Sequence, residues 1–287
     1  MSDPQATAPL DEDVRRKTEE FIEQEEGAAH KMTGWIGHLL IALAVGMSLF
    51  HLYAAYDIVP TQTLRPVHVA MVMVLSFLMF PVARRFRHRI MPWDIVFAMA
   101  AVASIAYMLM GGDDFTDRNT TPERWDIIWG ATFIVLLLEA TRRTSGLIMP
   151  VICVLFLAYA IYGDHLGSPW GHRGYSIARI VGHMYMTLEG IFGFAVDVAS
   201  SLIILFTIFG AVLQHSGAGK FFIDFSRAAM GGKATGTGRT VVLASFLLGG
   251  PSGSGVATTV TLGAVAYPVM QKSGYERNAA GGLLAAG

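Results

Sequence analysis

Six long apolar runs constrain this chain more than any other feature. They lie at roughly 34–56, 66–83, 93–111, 125–141, 146–163 and 191–214. A helix needs about 20 apolar residues to cross the hydrocarbon of a bilayer. Inside that hydrocarbon a spanning segment must satisfy its own backbone polar groups, which a helix does. The predicted fold is therefore all-α: a polytopic integral membrane protein with about six transmembrane helices. Pro81, near the end of the second run, and Pro150, in the fifth, are expected to kink their helices.

Composition agrees. The chain is 53% hydrophobic and only 15% charged, where soluble domains carry about a quarter charged residues. Its net charge of −1 and the lack of a basic patch interleaved with aromatics argue against nucleic acid. The single cysteine, Cys153, sits in an apolar run, which excludes disulfides and a cysteine-based metal site. The sequence has no nucleophile elbow, phosphate loop, His/Glu metal motif or paired carboxylates within a span, so it does not read as an enzyme. No secretory signal is visible, since the first apolar run is too long for a signal-peptide core. Residues 1–33 are polar and acidic; the stretch "DEDVRRKTEEFIEQEE" is either a surface amphipathic helix or disordered.

Lys and Arg set the expected orientation. With the N-terminus in the cytoplasm, alternate connections on that side hold Arg15, Arg16, Lys17, Lys31, Arg84, Arg85, Arg87, Arg89, Arg142, Arg143, Lys220, Arg227, Lys233 and Arg239. The opposite side holds only Arg65, Arg118, Arg124, Arg173 and Arg179. The N-terminus is predicted to be cytoplasmic.

A seventh apolar segment, about 241–270, breaks this pattern. Its centre, "GGPSGSG", should interrupt a helix, and its arms, about 241–249 and 256–270, are each too short to span. Lys272 and Arg277 follow it, and they remain on the cytoplasmic side only if the segment turns back at its tip. A re-entrant helical hairpin entering from the cytoplasm meets both conditions. Irregular backbone at membrane depth is tolerated where it lines a polar site. The first arm would end in free carbonyls, suited to a cation; the second would begin with free N–H groups, suited to a carboxylate. Pro251 is expected to stop the first arm, and Ser254 either caps the second arm or offers its hydroxyl to a ligand. A Gly/Ser loop between two short buried helices, or one kinked span, is the plainer alternative.

The run "GGPSGSGVATTVTLGAVAYPVMQKSGYERNAAGG" closely resembles the first hairpin of the large membrane subunit of TRAP transporters. The stretch "LFTIFGAVLQHSGAGKFFIDFSRAAMGG" is similar to that family's approach to the hairpin, and "SGSGVATTVTLG" looks most like the TAXI branch, in which small and large subunits are often fused. The resemblance implies a cytoplasmic segment at 1–33, a four-helix small-subunit-like scaffold at 34–141, and the N-terminal part of the large-subunit transport domain at 142–287. It further implies a permease of the bacterial inner membrane that imports small carboxylates delivered by a periplasmic binding protein. Sodium is the expected coupling ion, with protons as the alternative. The binding residues carried over are Gly250, Ser252, Gly253, Ser254, Gly255 and Thr258, with Ser252 and Ser254 as the sodium-ligand candidates. No other cofactor is expected. Because the sequence stops at "GGLLAAG" before a second hairpin, a transport-inactive N-terminal fragment is expected.

Some polar residues outside the hairpin also bear on function. Asp197, inside an apolar run, is either a functional intramembrane acid or an interfacial residue beside Glu189. Glu139 is expected to pair with Arg142 or Arg143 at i+3 or i+4. His38, His51 and His68 read as packed or interfacial. Thr258, Thr259 and Thr261 bond local backbone or line the site. Within 164–190, the later part suits a helix lying in the membrane interface. The competing functions are a membrane scaffold or assembly protein, and a channel whose hairpin lines a pore.

Overall fold

In the computed structural model, residues 34–86, 89–216, 236–252 and 273–286 are described throughout, with single residues or short pieces within 221–229 and 259–271. The expectation for residues 1–33 lies outside the described residues. Every regular element among the described residues is helical, and they fall into two compact units, one ending at Ile203 and one beginning at Ile204.

The first unit contains α1 (Trp35–Tyr56), α2 (Thr61–Met79), α3 (Pro92–Asp117), α4 (Arg124–Ser145), α5 (Ile148–Tyr162), α6 (Ile177–Met186) and α7 (Phe194–Val198), the last continuing as a π-helical turn over Ala199–Ile203. Five helical segments are long and apolar enough to cross a membrane: Trp35–Tyr56, Thr61–Met79, Pro92–Thr120, Ile148–His165 and Phe194–Val212. About six were expected, and among the described residues five meet that measure. The run at 125–141 does form a helix, α4, but that helix also takes in Arg124, Asp126, Glu139, Arg142 and Arg143. These charges lie towards the two ends of α4 rather than in flanking loops.

Neither expected proline kink forms. Phe80, the residue before Pro81, is extended at φ −111, ψ 115, so α2 simply ends there; the ring of a proline disfavours helical backbone in the residue preceding it. Pro150 falls in the first turn of α5, where its missing N–H has no intrahelical acceptor to lose. The break occurs instead in α3 at Gly112, whose φ of 52 and ψ of −138 are open to glycine and closed to other residues.

The core joins Val69, Met73 and Phe77 of α2, Ala101, Ile105 and Met108 of α3, Phe133 and Leu136 of α4, and Val181 and Tyr185 of α6. Small residues permit this close approach, as is usual between membrane helices. A Cβ at Gly130 of α4 would stand 2.8 Å from Tyr185 Cδ1. The Tyr185 hydroxyl donates to the Ser104 carbonyl on α3, which satisfies the one polar atom of a fully buried ring.

Two ion-pair clusters hold the ends of α4. At its start, Asp126 accepts from Arg118 Nε at 2.7 Å and Nη2 at 3.0 Å, from the Tyr107 hydroxyl at 2.8 Å, and from the Glu123 N–H at 2.9 Å. At its end, Arg143 Nη1 donates to Asp94 Oδ1 on α3 at 2.7 Å and to the Phe80 carbonyl at 3.1 Å. Glu139 pairs with both Arg142 and Arg143, at 2.7 and 2.8 Å, as the i+3 and i+4 spacing suggested. Charged groups this deep require such pairing, because an unpaired buried charge is far costlier than a paired one.

Helix α6 fulfils the expectation of a helix late in 164–190. Ser176 caps it by accepting the Arg179 N–H, Val181 and Tyr185 face the core, and Arg179 and His183 lie on the outer side. In the second unit, α8 (Ile204–His215) packs with α9 (Gly236–Ser252), and α9 packs with α10 (Arg277–Ala286).

Candidate functional site

Helix α9 is the first arm of the anomalous segment. Its 17 residues run to Ser252, so the helix continues through Gly250 and Pro251 where a stop at Pro251 was expected. At 1.5 Å per residue the arm is about 25 Å long, short of the roughly 30 Å of hydrocarbon.

The end of the second arm is a Schellman motif. The Gly274 N–H donates to the Gln271 carbonyl at 3.0 Å, and the Tyr275 N–H to the Met270 carbonyl at 3.1 Å. Gly274 takes φ 84, the left-handed conformation this cap requires. Tyr275 and Met270 also share one apolar cluster, the hydrophobic contact that accompanies such caps. The run "KSGYE" carried this signal, a glycine just past a helix and an aromatic after it.

The two ends of the segment meet. Thr237 Oγ1, one residue into α9, lies 3.0 Å from Ser273 Oγ, at the end of the second arm. A Cβ at Gly238 would stand 2.6 Å from the Tyr275 hydroxyl, so only glycine allows this approach without displacing the tyrosine. Farther along, Val241 and Ala244 pack in one cluster with Ala266 and Met270 of the second arm and with Ala280 and Leu284 of α10. Thr237 thus meets Ser273, and farther along each arm Val241 and Ala244 meet Ala266 and Met270, an antiparallel order. Helix α9 ends at Ser252, and the C-terminal end of a helix carries the negative end of its dipole.

Gly250 and Ser252 thus fall in the last turn of the first arm. Gly253, Ser254, Gly255 and Thr258 lie outside the described residues, as does Thr261. Thr259 is helical.

Several polar residues of the apolar runs prove to be tied elsewhere. Asp197 is a partner of Arg65, whose Nη2 lies 2.8 Å and Nε 3.0 Å from its Oδ1, while Arg65 Nη1 donates to the Phe192 carbonyl. No sequence signal announces this pairing, because the two residues are 132 positions apart and nothing local links them. His51 and His68 are buried and packed edge to face, their ring nitrogens 2.9 Å apart, and His51 Nδ1 lies 2.7 Å from the Met47 carbonyl. His38 is exposed and bonds to the Gly34 carbonyl. Among the described residues no group of three His, Cys, Asp or Glu is placed to hold a metal ion.

The family described as "Tripartite ATP-independent periplasmic transporter, DctM component" matches residues 132–287, more than half the chain, beginning inside α4 and including the whole hairpin. The chain is 34% identical over 82 residues to the 2,3-diketo-L-gulonate TRAP transporter large permease protein of Escherichia coli, covering 29% of this chain and 19% of that protein. It is 34% identical over 79 residues to the C4-dicarboxylate TRAP transporter large permease protein of Rhodobacter capsulatus, covering 28% of this chain and 18% of that protein. The chain thus spans about a fifth of the length of these curated relatives, which are permeases and not enzymes. No solved structure matches it significantly. With membrane-length helices, a segment whose ends meet, and a family match over that segment, the chain belongs to the DctM-component family of TRAP transporter large permeases.

Proposed function

We propose that the chain provides the membrane-embedded permease part of a TRAP-type secondary transporter that imports small carboxylates, driven by an ion gradient. The contact between Thr237 and Ser273 carries this reading. A segment whose ends meet on one side, with an arm of about 25 Å, brings a Gly/Ser tip to membrane depth instead of crossing. Such a tip offers carbonyls and hydroxyls to a cation and N–H groups to a carboxylate. Sodium suits this oxygen-rich set, and Gly250, Ser252, Gly253, Ser254, Gly255 and Thr258 are the residues assigned to it, with Ser252 and Ser254 as side-chain ligands.

The carboxylate class follows the names of the two relatives, one a C4-dicarboxylate permease and one a diketo-gulonate permease. A periplasmic binding protein delivers the substrate. The bias of Lys and Arg favours an N-terminus in the cytoplasm of a bacterium, with the chain in its inner membrane. Residues 34–141 then serve as a fused small-subunit scaffold in the manner of the TAXI branch.

Uptake into proteoliposomes of the complete permease with its binding protein tests this reading. Removing one ligand hydroxyl with Ser252→Ala or Ser254→Ala should weaken sodium binding by roughly 5- to 150-fold, the equivalent of about 1–3 kcal/mol. Substrate affinity should fall with it, because the sites are coupled. Unchanged sodium dependence in both variants removes the tip from the ion site.

A further inference from the structure

In the first unit, α5 and α6 both pack on α4, and a cavity of about 1130 Å³ opens between them. Its lining includes the apolar side chains of Leu138 of α4 and of Phe156 and Leu157 of α5. It also includes charged ones: Arg179 on α6, Asp113 near the end of α3, and Glu189 just after α6. Among the described residues the Arg179 guanidinium pairs with no carboxylate; it lies over the Tyr175 ring, 6.0 Å from its centroid. We propose that this cavity holds a membrane phospholipid with a zwitterionic, amine-bearing headgroup. The phosphate would meet Arg179, the amine would meet Asp113 and Glu189, and one acyl chain would lie along Leu157 toward Cys153.

Three observations select that occupant. First, α5 is apolar, with Pro150 its one buried residue and Phe156 69% exposed, so the wall of the cavity is continuous with an exposed apolar surface. Second, the charged lining residues lie at helix ends, Asp113 in the last turns of α3, Arg179 in the first turn of α6 and Glu189 just beyond α6, whereas Leu138, Cys153 and Phe156 lie within α4 and α5, the order expected of headgroup and hydrocarbon levels. Third, the lining carries both signs of charge. A purely anionic headgroup would satisfy Arg179 and leave two carboxylates opposite a phosphate; a headgroup with both a phosphate and a primary amine satisfies both sets. The distance also fits. From Ala160, near the end of α5, to Cys153 is about seven helical residues, or about 10 Å, which the upper part of an acyl chain covers.

Cys153 lines the cavity and is the only cysteine of the 287 residues, so its reactivity reports occupancy. The full chain, delipidated in detergent, would be treated with a small membrane-permeant maleimide while dioleoyl-phosphatidylethanolamine, dioleoyl-phosphatidylglycerol or dioleoyl-phosphatidylcholine is titrated in. The expected result is protection of Cys153 at the lowest mole fraction by phosphatidylethanolamine. Arg179→Gln should raise that half-protecting mole fraction by about tenfold or more, the loss of one charge-assisted hydrogen bond. The double variant Asp113→Asn/Glu189→Gln should abolish the preference of phosphatidylethanolamine over phosphatidylglycerol while retaining protection. Leu157→Trp, which fills the space, should protect Cys153 without lipid and serves as a folded control. Equal protection by all three lipids in the unmodified chain overturns the proposal. So does an unshifted titration in Arg179→Gln, or a Cys153 that is unreactive before any lipid is added.

Discussion

Replacing Asp94 is the sharpest test of how α2, α3 and α4 are joined. The side chains of Asp94 and Arg143 are 1% and 0% exposed, with Oδ1 and Nη1 2.7 Å apart. Removing one member of a buried pair typically costs about 3–5 kcal/mol, because the other charge is left stranded. Glu139 softens that cost, since its Oε1 still accepts from Arg143 Nε at 2.8 Å, and the carbonyl of Phe80 still accepts from Nη1. Those remaining contacts favour the lower end, about 3 kcal/mol. Asp94 also caps α3, because its Oδ2 accepts the Met91 N–H at 2.9 Å, a bond of about 1 kcal/mol. Asp94→Ala should therefore destabilise by about 3–4 kcal/mol. Asp94→Asn, which keeps the capping oxygen and loses the charge, should cost about 2 kcal/mol. Equilibrium unfolding in mixed micelles measures both, and adding Arg143→Met to Asp94→Asn closes a double-mutant cycle. The double variant should be less unstable than the sum of the singles by about 2 kcal/mol. An Asp94→Ala cost below about 1 kcal/mol, or strict additivity, would refute the idea that this pair rivets the three helices.

Two further outcomes are expected. Gly112→Ala forces a side chain into a backbone conformation that only glycine adopts freely, at φ 52 and ψ −138, so it should destabilise by about 1–3 kcal/mol. An unchanged thermal midpoint would mean that α3 is not broken there. In a Cys153→Ser background, Thr237→Cys with Ser273→Cys should crosslink readily under mild oxidation, because the native hydroxyl oxygens are 3.0 Å apart. Failure to crosslink, seen as no shift on a gel after protease cleavage between the sites, would separate the ends of the hairpin and remove the main support for a re-entrant arm.

The sequence by itself determined the class of fold and the place of the anomaly. Runs such as 34–56 and 191–214 are helical because a bilayer admits little else at that length, and the helices appear within a few residues of those limits. The pairing of Glu139 with Arg142 and Arg143 was equally legible, since helix geometry alone brings i, i+3 and i+4 together. The segment at 241–270 stood out as well, because glycine and proline act on local backbone, although its first helix runs on through Pro251; the Schellman cap that closes it is encoded in Gly274.

Only the tertiary structure decided what depends on distant residues meeting. Asp197 read as either a functional intramembrane acid or an interfacial residue, and only the fold brings it to Arg65, 132 positions away. His51 and His68, separate in sequence, became one buried pair. The same holds for Asp94 with Arg143, and for the cavity lined by residues of α3, α4, α5 and α6. Local rules follow from the helical repeat of about 3.6 residues, which can be applied to any chain. Which helix faces which is set by side-chain packing between elements, and in a membrane the hydrophobic pattern does not reveal it, because lipid-facing and protein-facing surfaces are alike apolar.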